Sequence, residues 1–382
     1  MWNRGFTFDI LPYSKYLAHL IDELWTVIHV YWIGFYYSLY ELIFENLASR
    51  STLEYSWDPE QWQQKSSILK AARINDKSAE EKSENEVGCK QLVAVMTGAD
   101  GTIGNEIVSM LNSLDIFVVA LGLRRPPNLL RDSDNDDSAS SSASESSIFI
   151  CCDLLDLAQV SRAADQILAQ IPSFDLLICN AGVMLISRKN STQNPQLKVN
   201  VLAHVLLFNK LKESMARSKQ ESPRAIFVSS STIHAGNPRK WLTYDWNNCE
   251  IDNNANAEEN GYKAYADSKL LLSLYVKYLA NNLRSSNSPI RVCSLHPGVV
   301  PGRLYANVFA PFRLFINGIL SSILRPSRVA ACHILGLLLD DRMLNGEYYE
   351  NGRRVKIADQ INALELERLG TAVDEKVLSF DS

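Results

Sequence analysis

From residue 91 onward the chain alternates short, almost continuously apolar runs with longer stretches of helical periodicity. Leu92–Met96, Ile116–Leu121, Ile148–Cys152, Leu176–Cys179, Ala225–Val228 and Ile290–Leu295 have the apolarity of strands buried on both faces. The stretches between most of them, such as Ala264–Leu283, are long enough for helical crossovers. The pattern predicts an α/β fold: a doubly wound parallel sheet in a single domain over 91–370, joined by right-handed connections. A last apolar run, Gly346–Tyr349 before Asn351-Gly352, reads as an edge strand.

Three regions break the alternation. Leu24 to Tyr40 carries no Asp, Glu, Lys or Arg and is rich in Trp and Tyr, the residues that favour the headgroup level of a bilayer. About 17 such residues is the lower limit for a spanning helix, so residues 1–53 are expected to form an N-terminal apolar helical anchor. A tilted span, a helix lying in one leaflet and a soluble helix packed on the domain all remain open. A cleaved signal peptide is disfavoured, because the run follows Asp22 and Glu23 and lacks a small-residue cleavage site. Residues 54–90 are polar and of mixed charge, as in Lys77-Ser78-Ala79-Glu80-Glu81-Lys82, and read as a charged linker, partly helical at most. After the second strand, Arg124-Arg125-Pro126-Pro127 leads into an acidic, serine-rich tract; 128–147 is expected to be a disordered insertion replacing most of a crossover. Residues 371–382 are assigned to a C-terminal tail.

Composition narrows the classes. The net charge of −5 is spread along the chain and leaves no basic footprint, so nucleic acid is not an expected partner. Seven cysteines show no paired spacing of a zinc or redox motif. Reduced, buried thiols on a cytosol-facing domain are expected, with no metal.

The candidate chemistry begins with Thr97-Gly98-Ala99-Asp100-Gly101-Thr102-Ile103-Gly104, between the first strand and a helix. Glycines there allow backbone to approach a pyrophosphate, and the helix N-terminus offers unpaired N–H groups. Tyr265 and Lys269 share a helix face at Y-x-x-x-K spacing, downstream of Ser229-Ser230-Ser231. A cation beside a phenol lowers its pKa and makes it a usable acid or base. The spacing alone recurs by chance; the company it keeps decides.

With Cys179-Asn180-Ala181-Gly182, Asn200 and His296-Pro297-Gly298-Val299-Val300, these motifs resemble, in order and spacing, the Rossmann-like short-chain dehydrogenases/reductases. Within that family the likeness is to membrane-anchored members acting on lipid alcohols, the retinol dehydrogenase-like and, more closely, the polyprenol dehydrogenase-like groups. The resemblance implies an NAD(P)-dependent enzyme acting on CH–OH/C=O groups. Tyr265 would be the acid/base, Lys269 would lower its pKa and bind the nicotinamide ribose, Ser230 would hydrogen-bond the substrate oxygen, and Asn200 would hold a water relay to Lys269. Cofactor would be held by Thr97, Gly98, Gly101, Ile103, Gly104, Asp153, Asn180, Ala181 and Gly182, with Pro297, Gly298 and Val299 at the nicotinamide. Arg124 and Arg125, with no acid before them, favour NADP over NAD. A hydrophobic isoprenoid, polyprenol or dolichol in type, is the expected substrate; retinoids or steroids are the alternative, and a non-catalytic nucleotide-binding membrane scaffold is the rival of another class. A homodimer is admitted. The resemblance suggests endoplasmic reticulum or lipid droplet.

Two departures stand out. Thr102 replaces a glycine common in the family, and Pro301-Gly302 replaces a cofactor-contacting threonine. The apolar stretch Val308–Pro326 is expected to close over the substrate or to pack in the core. His204, His234 and His333 show no ligand spacing and read as structural.

Overall fold

The computed structural model describes residues 91–129, 147–185, 194–246, 261–308, 324–341, 343–357 and 361–380, together with 62–67, 310–318, 321 and scattered helical positions from 21 to 39. The insertion at 130–146 and most of the N-terminal anchor lie outside them. So do Cys89 and Cys249.

Eight strands form one sheet: β1 Val93–Thr97, β2 Phe117–Gly122, β3 Ile148–Cys151, β4 Leu176–Cys179, β5 Arg224–Val228, β6 Arg291–His296, β7 Tyr348–Glu350 and β8 Arg353–Val355, in the order β3-β2-β1-β4-β5-β6-β7-β8. All neighbours are parallel except β7 with β8. The strands keep close to the predicted runs, because their apolar residues face packed helices on both sides. The order turns back beside β1, leaving β1 and β4 as the outward-going neighbours whose carboxyl ends open the crevice where such sheets bind ligands. One prediction is corrected here. β7 is not an edge strand, since β6 flanks it on one side and β8 on the other; Asn351 (φ 51°) and Gly352 (φ 76°) turn the chain to make that hairpin.

Alternate residues of each strand feed two cores. Val93 and Val95 of β1 face α2 (Leu157–Gln170), α3 (Ala203–Ala216), α4 (Gly261–Ser285) and a C-terminal helix, Ala363–Leu378. Ala94 and Met96 face α1 (Thr102–Ser113) and the helix Ser327–Leu338. The C-terminal helix opens on a reciprocal capping box between Asn362 and Glu365 and buries Val373 and Val377. It therefore carries the packed domain past residue 370, where a tail was expected to begin. The charged linker also holds a docked piece: residues 62–67 are helical, Trp62 is buried in the second core, and Ser66 donates to Leu114 O at 3.5 Å.

Among the described residues, no helix is long and apolar enough to cross a membrane. The described helical positions near the N-terminus nevertheless expose Ile21, Leu24, Trp25, Ile28, Trp32 and Phe35, while Ile33 is buried. The described cysteines are all free; Cys152, Cys179, Cys293 and Cys332 are buried and Cys151 is exposed. No group of acidic, histidine or cysteine residues among those described could hold a metal ion.

Candidate active site

A run of strong helix formers, Ala264, Ala266 and Leu270–Leu272, carries α4 across the sheet and fixes Tyr265 and Lys269 one turn apart. Both are buried, at 4% and 2% exposure. Tyr265 packs with Met184 and Val308 in a small apolar cluster. Lys269 Nζ donates to Val228 O at 2.8 Å, the last carbonyl of β5, and sits 6.0 Å from the Tyr265 ring centroid. The chain leaving β5 presents Ser230 to the phenol. Its Oγ accepts from Thr232 N at 3.2 Å, so a helical turn over Ser231–Ala235 holds the serine in place. Ser229 turns the other way and donates to Lys269 O at 3.0 Å, with Ser273 donating to Ser229 Oγ at 2.8 Å. Ser229 is thus part of the scaffold under the site.

Asn200 lies in a π-helical turn, Lys198–Leu202, that runs into α3. Widened turns of this kind reposition a side chain without ending the helix. Its Oδ1 accepts from Val183 N at 2.8 Å, and its Nδ2 donates to Val183 O and Ser268 Oγ, each at 3.0 Å. Asn200 does not reach the cavity wall. A Cβ on Gly182 would lie 3.2 Å from Lys269 Nζ and 3.5 Å from Asn200 Oδ1, so the missing side chain is what keeps these two polar atoms open to one space.

His204 was legible only as a structural histidine, and its partners show what it supports. It is fully buried, one turn after Asn200, with Nδ1 3.4 Å from Asn200 O and Nε2 3.1 Å from Thr97 Oγ1. Burial drives its pKa down to about 3, so the ring is neutral. A carbonyl only accepts, which puts the ring proton on Nδ1 and makes Nε2 the acceptor of the Thr97 hydroxyl. Thr97 Oγ1 in turn accepts from Ala181 N at 3.1 Å. One buried chain therefore links the first β-strand, the Asn180–Gly182 turn and the Asn200 helix. The signal for it in the sequence was the four-residue spacing from Asn200.

A cavity of about 990 Å³ joins these elements. One end is lined by Gly98, Gly101, Ile103, Asp153, Asn180 and Ala181; the middle by Gly182, Ser230, Tyr265, Lys269 and Pro297–Val299; the other end by Met184, Tyr305, Val308, Ile316, Leu324 and the N-terminal Phe35 and Leu39. Its first end fits a dinucleotide. Gly98 (φ 65°) lets the turn pass over Ala181, whose Cα would lie 2.8 Å from an added Cβ, and α1 starts without a side-chain cap, leaving its first N–H groups directed at the groove. Asn180 Nδ2 donates to Gly98 O at 3.1 Å and fixes that turn.

Four of the expected cofactor residues stand elsewhere. Thr97 spends its hydroxyl on His204 and Ala181, and Gly104 packs against Gly98 O inside the turn. Arg124 and Arg125 stand exposed past the end of β2, off the cavity wall, where Leu121–Leu123 line it instead. Of the stretch Val308–Pro326, Val308, Ile316 and Leu324 line the cavity, while Leu314 is exposed. The side chains of Phe309, Phe312 and Phe315 lie outside the described residues.

Electrostatics departs from the expectation at one point. Burial pushes the Tyr265 phenol up to about 12, with a hydrogen bond to Ser230 acting weakly the other way, and no net lowering by Lys269 results. Lys269 itself is pulled down to about 7 by burial, opposed by Cys179. Desolvation of both groups outweighs their mutual effect, because the ammonium is turned to Val228 O rather than to the phenol oxygen.

Arg325 was not foreseen. It is buried, donates from Nη1 to Pro297 O at 2.9 Å and from Nη2 to Asn351 Oδ1 at 2.8 Å, and its backbone N–H donates to Val299 O at 3.1 Å. Gly298 (φ 103°) leaves the room its side chain fills. The arginine so pins the loop expected at the nicotinamide.

A parallel, doubly wound sheet with a glycine turn after β1 and a buried Ser–Tyr–Lys group beyond β5 defines a nucleotide-dependent oxidoreductase site. The family model for short chain dehydrogenase matches residues 92–244. Over those residues the chain matches the short-chain dehydrogenases, and the match is consistent with an NAD(P)-dependent oxidoreductase acting on CH–OH/C=O groups. It is similar to polyprenol dehydrogenase of Danio rerio, 27% identical over 270 residues that cover 69% of this chain and 79% of that protein. It is also similar to dehydrogenase/reductase SDR family member 13 of Bos taurus, 28% identical over 261 residues covering 68% and 65%. Among solved structures, an uncharacterised protein of Mycobacterium paratuberculosis shares the fold, with a TM-score of 0.51 at 20% identity over 76% of this chain and 93% of that one.

Proposed function

We propose that this protein is a membrane-associated oxidoreductase that interconverts a hydrophobic lipid alcohol, polyprenol in type, and its carbonyl form, with NADP preferred over NAD. The observation that carries this reading is the continuous cavity with Tyr265 and Ser230 at its middle, a dinucleotide-shaped groove on one side and an apolar wall of Met184, Val308, Ile316, Leu324, Phe35 and Leu39 on the other. Such a wall suits an alkyl chain and offers it few polar partners.

A bound nicotinamide supplies or takes the hydride. The protein's part is the proton and the oxygen. At neutral pH the Tyr265 phenol holds its proton and is placed to give it to the carbonyl oxygen during reduction. Ser230 Oγ–H, next to the phenol, donates to the same oxygen as charge develops on it. Lys269, near half-protonated at pH 7, stabilises the phenolate left behind and, through the space kept by Gly182, is linked to Asn200 for its resupply. In the alcohol-to-carbonyl direction the same groups act in reverse.

The exposed apolar side chains from Ile21 to Phe35 support a helix lying in the membrane interface, with Phe35 and Leu39 reaching the cavity and so bringing it to the lipid phase. The similarity to polyprenol dehydrogenase of Danio rerio supports the isoprenoid substrate. Endoplasmic reticulum or lipid droplet, with the domain toward the cytosol, follows from the same reading. The NADP preference rests on the positive charge of Arg124 and Arg125 just past the end of β2, which must turn inward to meet a 2′-phosphate, since neither lines the cavity and the Asp100 carboxylate stands beside Gly122. Detergent-solubilised protein incubated with NADPH or NADH and a panel of polyprenal, dolichal, retinal and steroid ketones tests the reading. Preferential turnover of the polyprenals with NADPH is expected; preference for retinal or a steroid would replace the substrate, and nucleotide binding without turnover of any substrate would contradict the enzyme.

A further inference from the structure

The two departures noted in the sequence, Thr102 and Gly302, meet in space. A Cβ on Gly302 would press on Thr102 Oγ1 and lie 3.1 Å from Thr102 Cβ, so a side chain at Gly302 would force the Thr102 hydroxyl out of its place. Both line the cavity, from opposite rims: Thr102 on the glycine turn and Gly302 on the loop after β6. The rims are tied at one further point, where Arg303 Nη1 lies 3.5 Å from Asp100 Oδ2; on its own side of the groove, Gly302 N donates to Asn317 Oδ1 at 3.2 Å. Thr102 is the first residue of α1, its side chain is exposed to the groove, and its hydroxyl has no hydrogen-bond partner among the described residues.

We infer that Thr102 is a cofactor ligand, its hydroxyl donating to a diphosphate oxygen held at the start of α1, and that Gly302 is the complementary relief that admits it. The inference rests on the dinucleotide reading of this groove. A free hydroxyl beside uncapped N–H groups adds a donor to a site already suited to an anion, and a hydrogen bond to a charged partner accounts for about tenfold or more in affinity. Thr102 and Gly302 are then one exchange of a side chain across the groove, and the loop is not weakened by either.

Direct binding, by calorimetry or quenching of tryptophan fluorescence, tests this with NADPH, NADH, ADP-ribose and AMP. Thr102→Val keeps the shape and removes the hydroxyl; it should raise Kd about tenfold for the three diphosphate ligands and leave AMP unchanged, while Thr102→Ser stays near the parent. Gly302→Thr should weaken binding, and Thr102→Gly combined with Gly302→Thr should recover most of the loss. A Thr102→Val protein that binds all three within twofold of the parent overturns the inference, as does a double variant no better than Gly302→Thr alone. If the valine variant does not fold, the double variant decides. Should the unsubstituted protein bind none of the dinucleotides, the reading beneath the inference fails with it.

Discussion

The hydroxyl of Tyr348 lies 3.1 Å from the backbone oxygen of Ser230 and 2.7 Å from Glu350 Oε1, and His234 Nε2 meets that same carboxylate oxygen at 2.8 Å. The β7–β8 hairpin thereby holds both ends of the segment that presents Ser230, while Asn351 of the same hairpin holds Arg325 and, through it, Pro297. The end of the chain's sheet acts as a brace for the serine and for the loop opposite it.

Removing the brace should cost turnover more than folding. Tyr348→Phe keeps the buried ring and leaves Glu350 its histidine partner, so a melting shift equivalent to about 1 kcal/mol is expected. Turnover should fall several-fold with little change in the binding of cofactor. Steady-state kinetics beside a nucleotide titration checks the split; equal kcat in the variant would show that the contact is only structural.

Arg325→Leu leaves the carbonyl of Pro297 and the amide of Asn351 without their donor and opens the space next to Gly298. Breaking a buried polar network of this kind destabilises by about 3 kcal/mol. The affinity for intact dinucleotide should fall while that for ADP-ribose, which lacks the nicotinamide, holds. Loss of both in parallel would move the role of Arg325 from that loop to the fold as a whole.

Lys269 illustrates function opposing stability. Its pKa is about 7 in the folded protein against an ordinary 10.5, so between those values the unfolded chain binds more protons and stability rises with pH. At pH 7 the buried amine therefore costs folding energy. Lys269→Met should raise the melting temperature at pH 7 while abolishing turnover. A lower melting temperature would mean that its bond to Val228 O outweighs the desolvation.

Acid should have the opposite consequence through histidine. His204, His296 and His333 are buried and held down to about 3, against an ordinary 6.5. Below pH 6.5 the unfolded chain takes up protons that the folded one refuses, so stability falls as pH drops toward 3. Denaturant melts between pH 7 and 5 should show a loss of a few kcal/mol, with a slope approaching three protons. A flat profile would contradict the neutral, buried assignment of these rings.

Much of the catalytic half was legible because its residues are fixed by local patterns. Continuous apolar runs marked β1 to β6, and the spacing of Tyr265 and Lys269 needed only a helix to bring them together. What escaped depends on distant contacts. Nothing local distinguishes Trp62, inside a polar stretch, from a solvated residue, yet it fills the second core. β7 read as an edge because the three-residue β8 that covers it, Arg353–Val355, opens on two arginines. Arg325, Tyr348 and Glu350 act through partners far along the chain, and the depressed Lys269 follows from burial that only packing creates. Thr102 and Gly302 are two separate losses along the sequence and neighbours in space.

In the proposed function Tyr265 is the acid/base of an NAD(P)-dependent carbonyl or alcohol reaction. The most direct measurement is NADPH oxidation by purified Tyr265→Phe with a polyprenal substrate, beside the parent and with nucleotide binding measured on both. Folding and binding should be unchanged and kcat should fall at least about a hundredfold, the scale of a lost acid/base. A Phe variant turning over at the parent's rate would contradict that role for Tyr265.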